Sequence, residues 1–258
     1  MKRRILLSTA SIVCAIVLWE LVRQAFRLEE LVMPSLGSIW VALLSEPLLA
    51  THVWTTLSEA LAGFIFGNLL SIIFSILILR WSALETAVMP YAIAVKTTPI
   101  VAIAPILFIW LGGGWLSKAV AAAMVCFFPT LVNLVRGLRF VDSDDYREYV
   151  DLFKNWGASW WDSLFYLRAP FALPYVFSAL KVSSSLALVG AMVGEFIAAD
   201  KGLGFLVVIH SRRLETPEML AAVLLCALIG VAWFAVIVVI ERLFSRRFGS
   251  LTRGGELL

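Results

Sequence analysis

The run "TLSEALAGFIFGNLLSIIFSILIL", Thr56–Leu79, has one ionisable side chain in 24 residues. As a helix rising 1.5 Å per residue it would be about 36 Å long, enough to cross the roughly 30 Å hydrocarbon core of a bilayer. In lipid every backbone N–H and C=O must be bonded within the segment, so a single apolar run of this length reads as a transmembrane helix. Five further runs fit the same reading: Ile5–Val22, Thr86–Leu111, Leu116–Val135, Val176–Ala198 and Leu220–Ile240. Neither strand-like alternation nor a repeat period stands out, which sets aside barrels and solenoids. The expected fold is an all-α membrane protein with six transmembrane helices in a single domain, residues 1–258.

Composition agrees. Hydrophobic side chains make up 61% of the 258 residues, charged ones 15%, and the mean hydropathy is +0.93. Soluble domains carry about 25% charged residues and polar helix faces, which these helices lack. The start, "MKRRILLSTASIVCAIVLWELV", has a basic head, but its apolar stretch is long and no small-residue cleavage site follows. It reads as an uncleaved first span. Cys14, Cys126 and Cys226 lie inside apolar runs without C-x-x-C spacing, as small buried hydrophobes rather than metal ligands.

The net charge of +3 is topological. With the amino terminus inside, thirteen basic residues fall on the cytoplasmic side: Lys2, Arg3, Arg4, Arg80, Arg136, Arg139, Arg147, Lys154, Arg168, Arg242, Arg246, Arg247 and Arg253. Six fall outside: Arg23, Arg27, Lys118, Lys201, Arg212 and Arg213. The positive-inside rule then places both termini in the cytoplasm. No clustered basic face on a soluble element speaks for nucleic acid. Residues 137–175 become the one long cytoplasmic loop, between spans four and five. "PSLGSIWVALL", in the first outer loop, reads as a short helix on the membrane surface.

In that cytoplasmic loop, "YREYVDLFKNWG" spaces Tyr149, Leu152, Phe153 and Trp156 at i, i+3, i+4 and i+7, one helical face. Arg147, Asp151 and Lys154 fall opposite. Gly157 breaks the helix, and Ala158-Ser159 starts a second, through Trp160, Trp161, Leu164, Phe165 and Arg168 to Pro170. Pro170 and Pro174 are expected to stop this second helix before the fifth span. Two amphipathic helices hinged at a glycine fit either an interfacial pair at headgroup level or a docking element for a soluble partner.

The stretch resembles the cytoplasmic signature of permease subunits from bacterial ABC importers, the EAA loop: Glu-Ala-Ala, three residues, Gly, nine residues, Ile-x-Leu-Pro. Asp151 stands at the Glu position, Gly157 follows in register, and "LRAP", Leu167–Pro170, closes it. Leu152 and Phe153 replace the alanines, and Ala169 replaces Leu. "TTPIVAIAPILFIWLG" (Thr97–Gly112), "GASWWDSLFYLRAPFALPYVFSALKVSSSLALVGAMVGEF" (Gly157–Phe196) and "KGLGFLVV" (Lys201–Val208) extend the resemblance to the nitrate/sulfonate/taurine-type permeases. "LVMPSLGSIWVALL" is similar too, with Leu36 where that family commonly has a second proline.

The resemblance implies a permease of the type I importer kind, with Tyr149, Asp151, Phe153, Trp156, Gly157, Trp160, Leu167 and Pro170 docking an ATPase. It implies a homodimer of permeases, two cytoplasmic ATP-binding subunits and an extracytoplasmic solute-binding protein. The chain itself would carry no cofactor, ATP and Mg²⁺ belonging to the partner ATPase. No G-x-x-x-x-G-K-[ST] loop occurs in it.

Polar groups at membrane depth are candidates for the translocation path. Lys96 lies near the middle of the third span, followed by Thr97, Thr98 and Pro99, with Pro105 beyond. That pattern implies a kinked or broken helix around either a pore-lining or a snorkelling lysine. Ser184 and Glu195 on the fifth span complete the set, with helix packing expected for at least two of Ser183, Ser184 and Ser185. Glu195 fits an outer gate or a water-facing position. Asn68 and Asn133 read as helix-contact hydrogen bonders. Gly63/Gly67 and Gly190/Gly194 have G-x-x-x-G spacing, which permits close helix approach, including at a dimer interface.

Two other classes fit the sequence less well. An intramembrane hydrolase lacks a nucleophile–base pair, with His52 and His210 in outer loops, no G-x-S-x-G and no H-E-x-x-H. A secondary carrier would show repeated halves around a midplane site, and no second half matches the interrupted third span.

Overall fold

The computed structural model describes residues 2–248; the side chains of residues 2–6, 8, 9, 92, 96 and 246–248 lie outside the described set. Helices α1 (Lys2–Ala25), α2 (Leu36–Ser45), α3 (Leu49–Arg80), α4 (Ser82–Thr97), α5 (Ile100–Leu111) and α6 (Trp115–Arg139) build the first half. Helices α7 (Arg147–Asn155), α8 (Trp160–Asp162), α9 (Ala169–Ala198), α10 (Leu203–Arg213) and α11 (Thr216–Phe248) follow. No strand occurs among the described residues.

Among the described residues four helical segments are long and apolar enough to cross a membrane: Leu49–Arg80, Trp115–Asp142, Trp160–Ala198 and Thr216–Ser245. The expected third span is instead two helices, Ser82–Val95 and Ile100–Leu111, bent by 99°. Pro99 removes a backbone donor there and pushes Thr98 to extended backbone (ψ 124°), which ends α4. Lys2, Arg3, Arg4, Arg246, Arg247 and Arg253, used in the charge argument, lie outside the described side chains.

The fifth span differs from expectation more sharply. It does not start at Val176, and Pro170 and Pro174 do not stop the preceding helix. Trp160–Ala198 runs on through a π-helical turn, Ser163–Arg168, with Pro170 in the first turn of α9. The wider π turn relieves the clash between a proline ring and the carbonyl one turn earlier.

The core is the α3–α6–α9 trio, joined by small residues. Between helices in lipid there is little hydrophobic drive, so close backbone approach and dispersion must hold them. Gly63, Gly67, Gly190 and Gly194 all face α6. A Cβ on Gly190 would come 2.6 Å from the Ala122 Cα, and one on Gly67 2.6 Å from the Ala123 carbonyl oxygen. Both G-x-x-x-G pairs therefore pack within the chain, not at a surface left for a second copy. Cys126 and Cys226 are buried as expected, whereas Cys14 is exposed on α1.

Helix α2 starts at Ser35, whose hydroxyl accepts from the Ser38 N–H at 3.0 Å. Its Ile39 and Ala42 pack on Ala221 of α11. Beyond it, one face of α11 packs through Ala222 and Cys226 on the core, and the other shows bare apolar surface, with Leu228 63% and Val231 68% exposed. Exposed apolar area on this scale is incompatible with water and fits acyl chains.

Candidate functional site

Local chemistry builds the loop between α6 and α9. Gly157 adopts φ +70°, a left-handed conformation that costs L-residues about 1–2 kcal/mol. From there the Gly157 N–H donates to Lys154 O at 3.0 Å and the Ala158 N–H to Phe153 O at 3.1 Å. These two bonds form a complete Schellman stop for α7. Two residues later Ser159 opens α8 with a capping box. Its hydroxyl accepts from the Asp162 N–H at 3.2 Å, and the Asp162 carboxylate accepts the Ser159 N–H at 2.9 Å. The turn is thus fixed from both sides.

The proposed docking residues divide. Tyr149, Asp151, Trp156 and Gly157 are exposed, Trp156 at 76%, and Phe153, Trp160 and Pro170 are half-buried. Trp161 and Phe165 are exposed too and stack 5.9 Å apart. Leu167 points the other way. It is 3% exposed, and the neighbouring Leu164 packs with Leu138 and Ala172. The π turn rotates this stretch so that Leu164 and Leu167 face the core while Trp161 and Phe165 face out. Between α7 and α8 lies a cavity of about 210 Å³ lined by Phe153, Lys154, Trp160 and Arg168, among others.

Three contacts fasten this aromatic knob to the bundle. The Arg80 guanidinium lies 5.6 Å from the Trp160 ring centroid. Arg168 donates to both oxygens of Asp142, at 2.9 and 2.7 Å. It donates also to the Leu138 carbonyl, in the last turn of α6, at 3.0 Å.

At the middle of the bundle, the Asn68 side-chain oxygen accepts from Thr130 at 2.9 Å and from Ser183 at 3.2 Å, tying α3, α6 and α9 together. Asn133 does not bridge helices; its amide donates to Pro129 O of its own helix at 2.8 Å. Ser184 is fully buried with its hydroxyl on Lys181 O. Ser185 is exposed.

Of the path candidates in the broken span, the Lys96 side chain lies outside the described residues. The Thr97 and Thr98 hydroxyls donate to Ala94 O at 2.9 and 2.8 Å, beside the Thr98 N–H that donates to the same carbonyl at 3.1 Å, so both hydroxyls fold back on the end of α4. Beside them a cavity of about 320 Å³ opens between Thr97, Thr98, Pro99, Met124, Phe128 and Leu186.

Glu195 does not face water; it is 2% exposed. It belongs to a latch at the end of the bundle remote from the knob. There three successive N–H groups at the start of α10 are each taken by a side chain. Gly202 donates to His52 Nδ1 at 3.0 Å, Leu203 to Thr56 Oγ1 at 2.7 Å, and Gly204 to the Glu195 carboxylate. A helix N-terminus leaves such donors open and favours a carboxylate beside them. Gly202 has φ +118°, and a Cβ there would meet the Glu195 carboxylate.

Sequence reasoning missed much of this latch. His52 and His210 are buried in α3 and α10 rather than lying in loops. Glu59 is 1% exposed on the same buried polar face as Thr56, and its Oε2 has no partner among the described residues. Lys118, expected in an outer loop, is 4% exposed and donates to Gly113 O at 2.7 Å. The i, i+4 spacing of His52 and Thr56, with Glu59 three further on, was the available signal of a shared polar face. Among the described residues no three His, Cys, Asp or Glu side chains converge as metal ligands would.

Known proteins share this arrangement of sequence. Residues 67–250 match the family described as "Binding-protein-dependent transport system inner membrane component". The riboflavin transport system permease protein RibX of Chloroflexus aurantiacus is 36% identical over 81% of this chain and 76% of its own length. The formylaminopyrimidine transport permease protein ThiX of Halalkalibacterium halodurans is 34% identical over 78% of each chain. The taurine transport system permease protein TauC of Escherichia coli is 24% identical over 89% of this chain and 85% of its own. With apolar membrane-length helices and a capped aromatic loop between α6 and α9, the chain belongs to the binding-protein-dependent inner-membrane permeases of ABC transporters, a multi-pass inner-membrane protein of the nitrate/sulfonate/taurine type.

Proposed function

We propose that this chain forms half of the translocation path of an ATP-driven importer for a small solute. The solute class is that of nitrate, sulfonates and taurine or of vitamin precursors. The two relatives at 36% and 34% identity, named for riboflavin and formylaminopyrimidine, favour the heterocyclic vitamin-precursor end of that range. Six spans, both termini in the cytoplasm and the α6–α9 loop on the cytoplasmic face complete the reading. Two copies of the chain pair with two ATP-binding subunits and an extracytoplasmic binding protein.

One observation carries the reading: an exposed aromatic surface on a turn held rigid by a Schellman stop and a capping box. A flexible interfacial segment needs no such fixing, whereas a lever must hold its shape under load. ATP and Mg²⁺ belong to the partner; Tyr149, Asp151, Phe153, Trp156 and Trp160 meet it, and Gly157 sets their geometry. Lys96, Thr97 and Thr98, beside the break at Pro99, are the residues we assign to the path. Helix breaks at membrane depth are tolerated where they line a cavity.

Uptake of labelled riboflavin, with taurine for comparison, into vesicles holding the chain and its cognate ATPase and binding protein tests the proposal. Uptake should require ATP and survive collapse of the proton gradient. Gradient-driven uptake by this chain alone would make it an ion-coupled carrier instead. Lys96→Gln should alter uptake of anionic and neutral solutes unequally if the lysine lines the path.

A further inference from the structure

We infer that Arg168 is a positioning residue that pins the aromatic knob to the end of α6, so that a push on the knob moves α3, α6 and α9 as one body. The inference rests on the transport reading above and names the route of force within it.

Two routes lead from the knob into the membrane. The first is covalent, from α8 into α9. It passes through the π-helical turn Ser163–Arg168 and then Pro170, which has no N–H to donate. Wide turns of this kind and missing ladder bonds are where helices bend. A push delivered only this way would be absorbed as bending near residue 168.

The second route is Arg168 itself, at the far end of that turn. Its guanidinium holds both Asp142 oxygens and the Leu138 carbonyl, and its side chain is 14% exposed. The Leu138 carbonyl is one of those a helix end leaves without an internal partner, so the arginine also caps α6. A planar fork with three fixed acceptors resists rotation in a way that one lysine ammonium does not. An ordinary surface ion pair contributes little; this one is bidentate, with the arginine side shielded though Asp142 is 45% exposed, and it is backed by the Leu138–Leu164–Ala172 cluster. The pin thus sits past the π turn and ahead of Pro170, so motion that crosses the turn passes into α6 instead of being spent as bending at the proline. From there the glycine–alanine seam and the Asn68–Thr130–Ser183 bonds pass it to α3 and α9.

The test needs no identified solute. In a chain with Cys14, Cys126 and Cys226 replaced by alanine, a reporter Gly114→Cys sits at the far end of α6, where an added Cβ meets nothing. The full complex in lipid vesicles is labelled with a membrane-impermeant maleimide, with and without Mg-ATP. With Arg168 present, ATP should change the labelling rate. Arg168→Met should shrink that change by about two- to thirtyfold while the ATPase still co-purifies and hydrolyses ATP. Arg168→Asp with Asp142→Arg should restore more of the response than Arg168→Asp alone. If Arg168→Met is not recovered folded, Asp142→Asn reads the same link.

An undiminished ATP response in Arg168→Met overturns the pin. So does loss of ATPase capture, which would make Arg168 a docking residue, and so does a charge-swapped chain no better than the single variant. Failure of the parent chain to capture an ATPase at all would instead overturn the transport reading.

Discussion

The Thr56 hydroxyl and the Glu195 carboxylate, 139 residues apart in sequence, meet at 2.7 Å inside the bundle, and the same hydroxyl oxygen accepts the Leu203 N–H at 2.7 Å. One side chain thus joins α3, α9 and the start of α10. Thr56→Val keeps the shape but leaves a buried N–H and a buried carboxyl without that partner. It should cost about 1–3 kcal/mol, visible as a lower melting temperature in detergent, with Thr56→Ser close to the parent chain.

Stability and docking should separate within the α6–α9 loop. Leu167→Ala removes a buried side chain and should destabilise by about 2–5 kcal/mol. Trp156→Ala should change stability by no more than about 0.5 kcal/mol, as exposed positions do, while weakening capture of the ATPase in a pull-down. The opposite pattern would mean that the knob faces lipid or the bundle.

Gly157→Ala places a Cβ in open space but at φ +70°. It should cost about 1–2 kcal/mol through strain alone. Gly157→Asn, a residue that tolerates this conformation, should cost less. Hydrogen exchange at the Ala158 N–H, bonded to Phe153 O, reads the loss locally.

Because both G-x-x-x-G pairs pack against α6, Gly190→Val should break the monomer rather than a dimer. Overfilling a closed contact costs about 1–3 kcal/mol. The variant should lose yield and melting temperature in detergent conditions where the parent chain is monomeric.

At the start of α2, Glu30 accepts from the Ser38 hydroxyl at 2.7 Å and the Ser35 N–H at 2.9 Å. Those bonds, the Ser38 one foremost, hold its carboxyl below its ordinary value of 4.5. A depressed folded value stabilises above the unfolded one, and that stabilisation fades as pH falls through the folded value. The melting difference between the parent chain and Glu30→Gln should therefore be constant near neutrality and vanish in acid.

Runs such as Thr56–Leu79 fixed the helical membrane class without help from the fold, because a bilayer accepts little else of that length and apolarity. The stop at Gly157 and the restart at Ser159 were equally readable, since caps are made by residues within five positions of one another. Pro99 announced the break in the third span for the same reason. Which faces meet was not readable. That Leu167 turns inward depends on a π turn whose extra residue shifts the helical register. That Glu59, Thr56 and His52 converge with Glu195 and Gly202 depends on how α3 and α9 cross. Local hydrogen bonding decides where a helix begins and ends; its rotation about its own axis is decided only when the small residues of α3, α6 and α9 close on one another.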